Sequence, residues 1–142
     1  MNRKVSVAPM MDCTDRHERF FLRLISKNTL LYTEMVVSEA INRGDKKKLL
    51  EFNINEKPLA LQIGGSSPKL LAEATKVGED FGYDEINLNL GCPSKKVEKN
   101  KFGACLMKEP NLVADCLNKM QSVTKLPVTI KTRIGYDDTE DY

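Results

Sequence analysis

The sequence predicts an α/β chain forming about the first five βα units of an incomplete (βα)8 (TIM) barrel. Two patterns carry this expectation. Short β-rich runs alternate with helical patterns along all 142 residues, and those runs carry one apolar face and one that turns polar toward the C-terminal end. Strands joined through helices pair in parallel with right-handed crossovers, which leaves a doubly wound sheet or a barrel. A doubly wound sheet is covered on both faces, so its strands read as unbroken apolar runs. Here Ile86, Leu88 and Leu90 alternate with Asn87 and Asn89, Leu61 and Ile63 flank Gln62, and Val128 and Ile130 alternate with Thr129, Lys131 and Arg133. That is the pattern of a barrel with a ligand at its top. An antiparallel sheet with one wet face is the weaker alternative, because helices separate the strands.

Taken in order, Val5–Met10 reads as a first strand, and Thr14–Ser26 as a helix with Phe20, Phe21, Leu24 and Ile25 on one face. A second strand is expected over Leu30–Val36, then a weaker helical stretch over Ser38–Phe52 that Gly44 interrupts. Pro58 introduces a third strand, Leu59–Ile63. Ser67 is placed to cap the next helix, with Pro68 at its first position, a stripe of Leu70, Leu71, Ala74 and Val77, and Gly82 at its end. Strand four is Glu85–Leu90. Pro110 opens a helix with Leu112, Val113, Cys116, Leu117 and Met120 on one side, and Val128–Arg133 is strand five. A closed barrel needs eight strands and typically about 250 residues, so the sequence reads as an N-terminal portion, residues 1–142, of a barrel domain. The charged DDTED run near the end is expected to be the loop above strand five.

Composition narrows the function classes. The net charge of +2 gives no ground for wholesale nucleic-acid binding, so any basic patch must be local. Cys13, Cys92, Cys105 and Cys116 form no C-x-x-C pair, and His17 is the single histidine, so neither a zinc site nor structural disulfides are expected. No secretory leader and no membrane-spanning stretch are read in the sequence, which points to a cytoplasmic protein.

The segment Asn87–Ser94 (NLNLGCPS) sets two amides on one strand face and then a thiol at the strand's C-terminal end, where barrel enzymes keep reactive groups. Gly91 allows close backbone approach and Pro93 fixes the exit direction. A cysteine thiol is mostly protonated at neutral pH and can give its proton to a carbanion, so Cys92 is read as a general acid; a buried packing cysteine is the alternative. Lys131 would project into the barrel, where an unpaired cation is costly and calls for an anionic partner such as a reduced flavin, or else a salt bridge to Glu34. Gln62 offers a donor and an acceptor to the edge of a flavin ring. Pro9, Met10 and Met11 end strand one with side chains able to lie against a flat ring. The loop after Cys92, with Lys95, Lys96, Lys99, Lys101 and Lys108, is either a contact for tRNA phosphates or a solvated surface.

Together, VAPMMDCTDRH, LLYTEMV, PLALQIGGS, YDEINLNLGCPS, FGACLM and PVTIKTRIG resemble the tRNA-dihydrouridine synthase family, in particular its A-type branch, from about Val5 to Gly135. The resemblance implies an FMN-binding (βα)8 barrel followed by a helical tRNA-binding domain. It also implies NADPH as reductant and reduction of the C5=C6 bond of uridine in the D loop of tRNA, around position 20. By motif, Pro9, Met10 and Met11 would line the flavin, Gln62 and Lys131 would bind it, Asn89 would touch the RNA, and Cys92 would donate a proton to C5 after hydride reaches C6. The family's later strands, with a flavin-contacting histidine and the phosphate-binding loops, are not in this sequence, and His17 lies in the wrong place to be that histidine. The 142 residues by themselves are therefore expected to bind FMN poorly and to lack activity. The competing readings are another FMN barrel, such as a dihydroorotate-dehydrogenase-like enzyme, and a non-enzymatic remnant.

Overall fold

The computed structural model describes residues 4–136. The DDTED run lies outside them. All strand pairs are parallel, in the order β1-β3-β4-β5, with β2 also on β3. The strands are β1 Leu31–Tyr32, β2 Val36–Val37, β3 Leu59–Gly64, β4 Glu85–Leu90 and β5 Val128–Thr132. The helices are α1 Arg16–Ile25, α2 Ser38–Arg43, α3 Lys46–Leu50, α4 Pro68–Asp80, α5 Lys95–Lys99 and α6 Pro110–Gln121. Parallel strands connected through helices over a curled sheet make this a section of a (βα)8 barrel, as the alternation predicts.

The helix signals act as expected in α4. Ser67 accepts a hydrogen bond from the Leu70 amide and Pro68 occupies the first turn. Past the other end, Gly82 takes a φ of +88°, and the amides of Gly82 and Tyr83 return to the carbonyls of Glu79 and Gly78 at 2.9 and 3.3 Å. Leu71 and Ala74 are buried; Leu70 and Val77 are half-buried. Gly78 sits against the sheet so closely that an added Cβ would lie 2.7 Å from Ile86 Cδ1 and 2.8 Å from Leu61 Cδ2. The core is thus a layer between the outward face of β3 and β4 and the helices α2, α4 and α6, and the buried Cys116 and Met120 of α6 belong to it.

Two local expectations change. The first strand is reduced to a single parallel bridge, Ser6 with Leu30, plus the Val7 amide on the Leu30 carbonyl at 3.0 Å. Pro9 has no N–H to continue the ladder, and a tight turn over Met10–Thr14 begins at once. The second strand is split into β1 and β2. Tyr32 pairs with Ala60 and Val36 with Ile63, so three residues, Thr33 to Met35, oppose two, Leu61 and Gln62. This is a bulge, and the Thr33 hydroxyl repairs it by accepting from the Gln62 amide at 3.1 Å.

Helix α1 forms with its apolar residues on one face, as expected. Its apolar stripe faces away from the described chain, with Phe21 60% and Leu24 72% exposed, while Arg19 and Arg23 turn inward and are buried. Buried polar partners decide this orientation. Arg19 pairs with Glu56 at 2.7 Å and donates to the Thr14 carbonyl at 2.7 Å. Arg23 donates to the carbonyls of Ser26, Glu56 and Pro58 at 2.8, 2.9 and 3.1 Å. Glu56 also accepts from the Asn53 amide at 2.7 Å, closing a capping box on the turn that leads into β3.

Removing one partner of a buried pair strands the other. Glu56→Ala is expected to cost about 3–5 kcal/mol in urea denaturation, and the paired replacement Arg19→Met with Glu56→Leu is expected to cost less than Glu56→Ala alone.

Candidate active site

Side chains on the inward face of the strands form three cross-strand rows. Tyr32, Ala60 and Glu85 lie in the first; Gln62, Asn87 and Thr129 in the second; Asn89 and Lys131 in the third, nearest the C-terminal ends. The rows are tied together. Gln62 Nε2 donates to Asn87 Oδ1 at 2.8 Å, Asn87 Nδ2 to Thr129 Oγ1 at 2.9 Å, and Asn89 Nδ2 to Gln62 Oε1 at 2.9 Å. Below them, the hydroxyls of Tyr32 and Thr129 both donate to Glu85 Oε1.

At the upper end, Asn89 Oδ1 accepts from the Gly91 and Cys92 amides at 3.2 and 3.0 Å. Cys92 is therefore held by its backbone at the mouth of the barrel, with its residue half-buried. A second clamp comes from the FGAC segment. Gly103 adopts a φ of +75° and approaches Cys92 so closely that a Cβ would lie 2.6 Å from the Cys92 carbonyl oxygen. That oxygen accepts from the Ala104 amide at 3.0 Å. Phe102 packs where a Cβ on Gly64 would stand, beside Met35. The sequence motif FGAC is thus the back wall of the cysteine turn.

Cys92 lines a cavity of about 620 Å³ together with Met11, Met35, Ser94, Lys96 and Phe102, among others, and also a smaller one of about 210 Å³ with Arg133 and Tyr136. Of the residues singled out in the sequence, Cys92, Met11 and Lys96 share the larger cavity, while Gln62 and Asn89 reach Cys92 through hydrogen bonds. Lys131 lines neither cavity; it is half-buried, in register with Asn89, and its carbonyl lies against Gly91. Among the described residues it has no acidic partner. The alternative salt bridge to Glu34 is not made, and Glu34 instead accepts from the Asp12 amide at 2.6 Å. Pro9 is half-buried and Met10 exposed on the turn, and Lys95 stands exposed at the start of α5, outside the cavity.

Sequence reasoning missed Glu85, Thr129 and Tyr32 as members of this site. A signal existed: Glu85, Asn87 and Asn89 continue one period-two polar face, which begins two residues before the asparagines. No group of three His, Cys, Asp or Glu side chains among the described residues could hold a metal ion. None of their helices is long and apolar enough to cross a membrane.

A family model described as Dihydrouridine synthase (Dus) matches residues 6–142. Among curated relatives, a tRNA-dihydrouridine(20/20a) synthase of Synechocystis is 57% identical over 138 residues, covering 97% of this chain and 41% of the relative. Proteins of the same name from Vibrio cholerae and Escherichia coli are 57% and 58% identical, covering 98% of this chain and 42% and 40% of their own lengths. The chain thus spans about two fifths of the length of these relatives.

The geometry fixes two expectations. Gly103→Ala meets both an unfavourable φ and the Cys92 carbonyl, and is expected to lower stability by about 1–3 kcal/mol in denaturant and to change the alkylation rate of Cys92. Burial pushes the Cys116 thiol up to about 11, and burial followed by Glu98 raises that of Cys105. A raised value keeps the thiol protonated, so mass-spectrometric mapping of alkylation at about pH 8 is expected to show exposed Cys13 reacting before Cys105, and Cys116 last.

Proposed function

The chain belongs to the dihydrouridine synthase family, and from that premise we propose that it forms the N-terminal part of the FMN-binding barrel of a tRNA-dihydrouridine synthase. In this reading the complete enzyme reduces the C5=C6 bond of uridine in the D loop of tRNA, at the 20/20a region, with NADPH as reductant. A helical tRNA-binding domain follows the barrel. A cytoplasmic location goes with a tRNA substrate.

The observation that carries the proposal is the backbone of Cys92, held at the C-terminal end of β4 by Asn89 below and by Gly103 and Ala104 beside it. A proton donor must be held where the carbanion forms, and two independent clamps on one turn serve that end.

The residues present also fit FMN. Lys131 is an inward-facing cation without an acidic partner among the described residues, which suits negative charge on the pyrimidine edge of a flavin. Gln62 uses one amide hydrogen and one lone pair within the network, leaving one of each for a ring edge. Pro9, Met10 and Met11 form the turn at the mouth and would lie against the ring. Bound there, FMN would supply the hydride chemistry that reduces the base. Cys92 Sγ–H gives its proton to C5, Asn89 contacts the RNA, and Lys95 and Lys96 on the first turn of α5 meet its phosphates. The base has to leave its stack to enter, and phosphate contacts beside the mouth help to hold the strand open.

In the full-length enzyme, Cys92→Ala is expected to lower uridine reduction by about 100-fold or more while NADPH still bleaches the bound flavin. Undiminished dihydrouridine formation, followed by mass spectrometry of the tRNA, would remove Cys92 from the proton-donor role.

A further inference from the structure

The polar network on the inward face has a direction. At its upper end stand the Gly91 and Cys92 amides, which can only donate; at its lower end stands a carboxyl oxygen of Glu85 that accepts from two hydroxyls. Between these ends every link runs the same way: Cys92 N–H to Asn89, Asn89 to Gln62, Gln62 to Asn87, Asn87 to Thr129, and Thr129 to Glu85. No link sets donor against donor or acceptor against acceptor. Because Thr129 Oγ1 accepts from Asn87, its own hydrogen is free to go to Glu85, and the hydroxyl is the joint between the amides and the acid.

We infer that Thr129 and Glu85 are positioning residues for Cys92, acting through this one-way chain of three side-chain amides. The inference rests on the role proposed above for Cys92, since neither Thr129 nor Glu85 hydrogen-bonds to the cysteine. The physical reason lies in Asn89. Its Oδ1 must face the Cys92 turn and its Nδ2 must face Gln62; an inverted amide would set two donors against Gly91 and Cys92 and an acceptor against Gln62 Oε1. Each amide below enforces the orientation of the one above, and Thr129 supplies the last acceptor. Mutual polarisation along such a buried chain strengthens each link, so a break at the bottom is felt at the top. The amides are buried, Gln62, Asn87 and Asn89 each less than a tenth exposed, while Thr129 at the joint is half-buried.

Thr129→Val tests this directly, because valine keeps the shape and strand preference of threonine and replaces the hydroxyl with a methyl that can neither donate nor accept. In this chain, amide hydrogen exchange at Gly91 and Cys92 is expected to speed up by up to about fivefold, the ceiling set by the one net hydrogen bond removed at Asn87. Thr129→Ser, which restores the hydroxyl, is expected to return the rates to their original values. Thr129→Ala serves as the second hydroxyl-free variant should valine prevent folding. In the full-length enzyme, Thr129→Val is expected to lower kcat for uridine reduction about fivefold, with a smaller rise in KM for tRNA, since Thr129 itself meets no RNA and its loss reaches the RNA only through Asn89. Exchange at Gly91 and Cys92 that does not respond, while the side-chain amides of Asn87 and Gln62 do, would overturn the inference. Accelerated exchange in Thr129→Val, together with an unmodified full-length enzyme that makes no dihydrouridine, would sink the functional reading and leave the positioning chain standing.

Discussion

Six polar side chains, Tyr32, Gln62, Glu85, Asn87, Asn89 and Thr129, project from the same face of four parallel strands, and each finds a hydrogen-bond partner among the others. Much of the architecture answers to that requirement. The register of β3, β4 and β5 sets Gln62 beside Asn87 and Asn87 beside Thr129; a slip of one residue would turn all of them toward the helices, where no partner waits. Apolar packing of Leu61, Ile63, Ile86 and Leu88 under α4 and α6 drives the sheet to form. The polar rows select which pairing it forms.

The same constraint shapes the connections. A bulge at Thr33–Met35 would leave the Gln62 amide without an acceptor, and the Thr33 hydroxyl provides one. The bulge also places Glu34 where it reaches the Asp12 amide, so the turn over Met10–Thr14 is tied to the edge of the sheet. Around Cys92 the chain approaches itself more closely than any side chain would permit, and Gly103 meets that need with a left-handed backbone. Loops at the barrel mouth are therefore held by specific backbone contacts, in contrast to the apolar packing of the outer layer.

Much of this was legible in the sequence, and the exceptions have physical causes. Strands β3, β4 and β5 and helices α4 and α6 carry strong period and capping signals, and their positions follow from them to within a residue. The thiol and the two asparagines were legible because they sit at a strand end on one face. The first strand misled because its apolar run includes Pro9, whose missing N–H matters only once the partner strand is known. Helix α1 has its four apolar side chains on one face as read, but the inward turn of Arg19 and Arg23 could not be read, because it depends on Glu56 and on carbonyls both local and distant in sequence. The role of FGAC was invisible, since a glycine's close approach to a carbonyl more than ten residues away leaves no periodic trace.

The asparagine-bearing strand has a bearing on chemical ageing. Spontaneous deamidation begins when the nitrogen of the following residue swings onto the side-chain carbonyl, a motion that needs a pliant backbone. Asn87 and Asn89 lie within β4, Asn87 paired with both β3 and β5 and Asn89 with β5, and their carbonyl oxygens are already engaged. Each conversion to aspartate would replace a donor with an acceptor inside a sequence of bonds that tolerates only one sense. The extended ladder that arranges these amides for use also shelters them from the slow hydrolysis that would undo them.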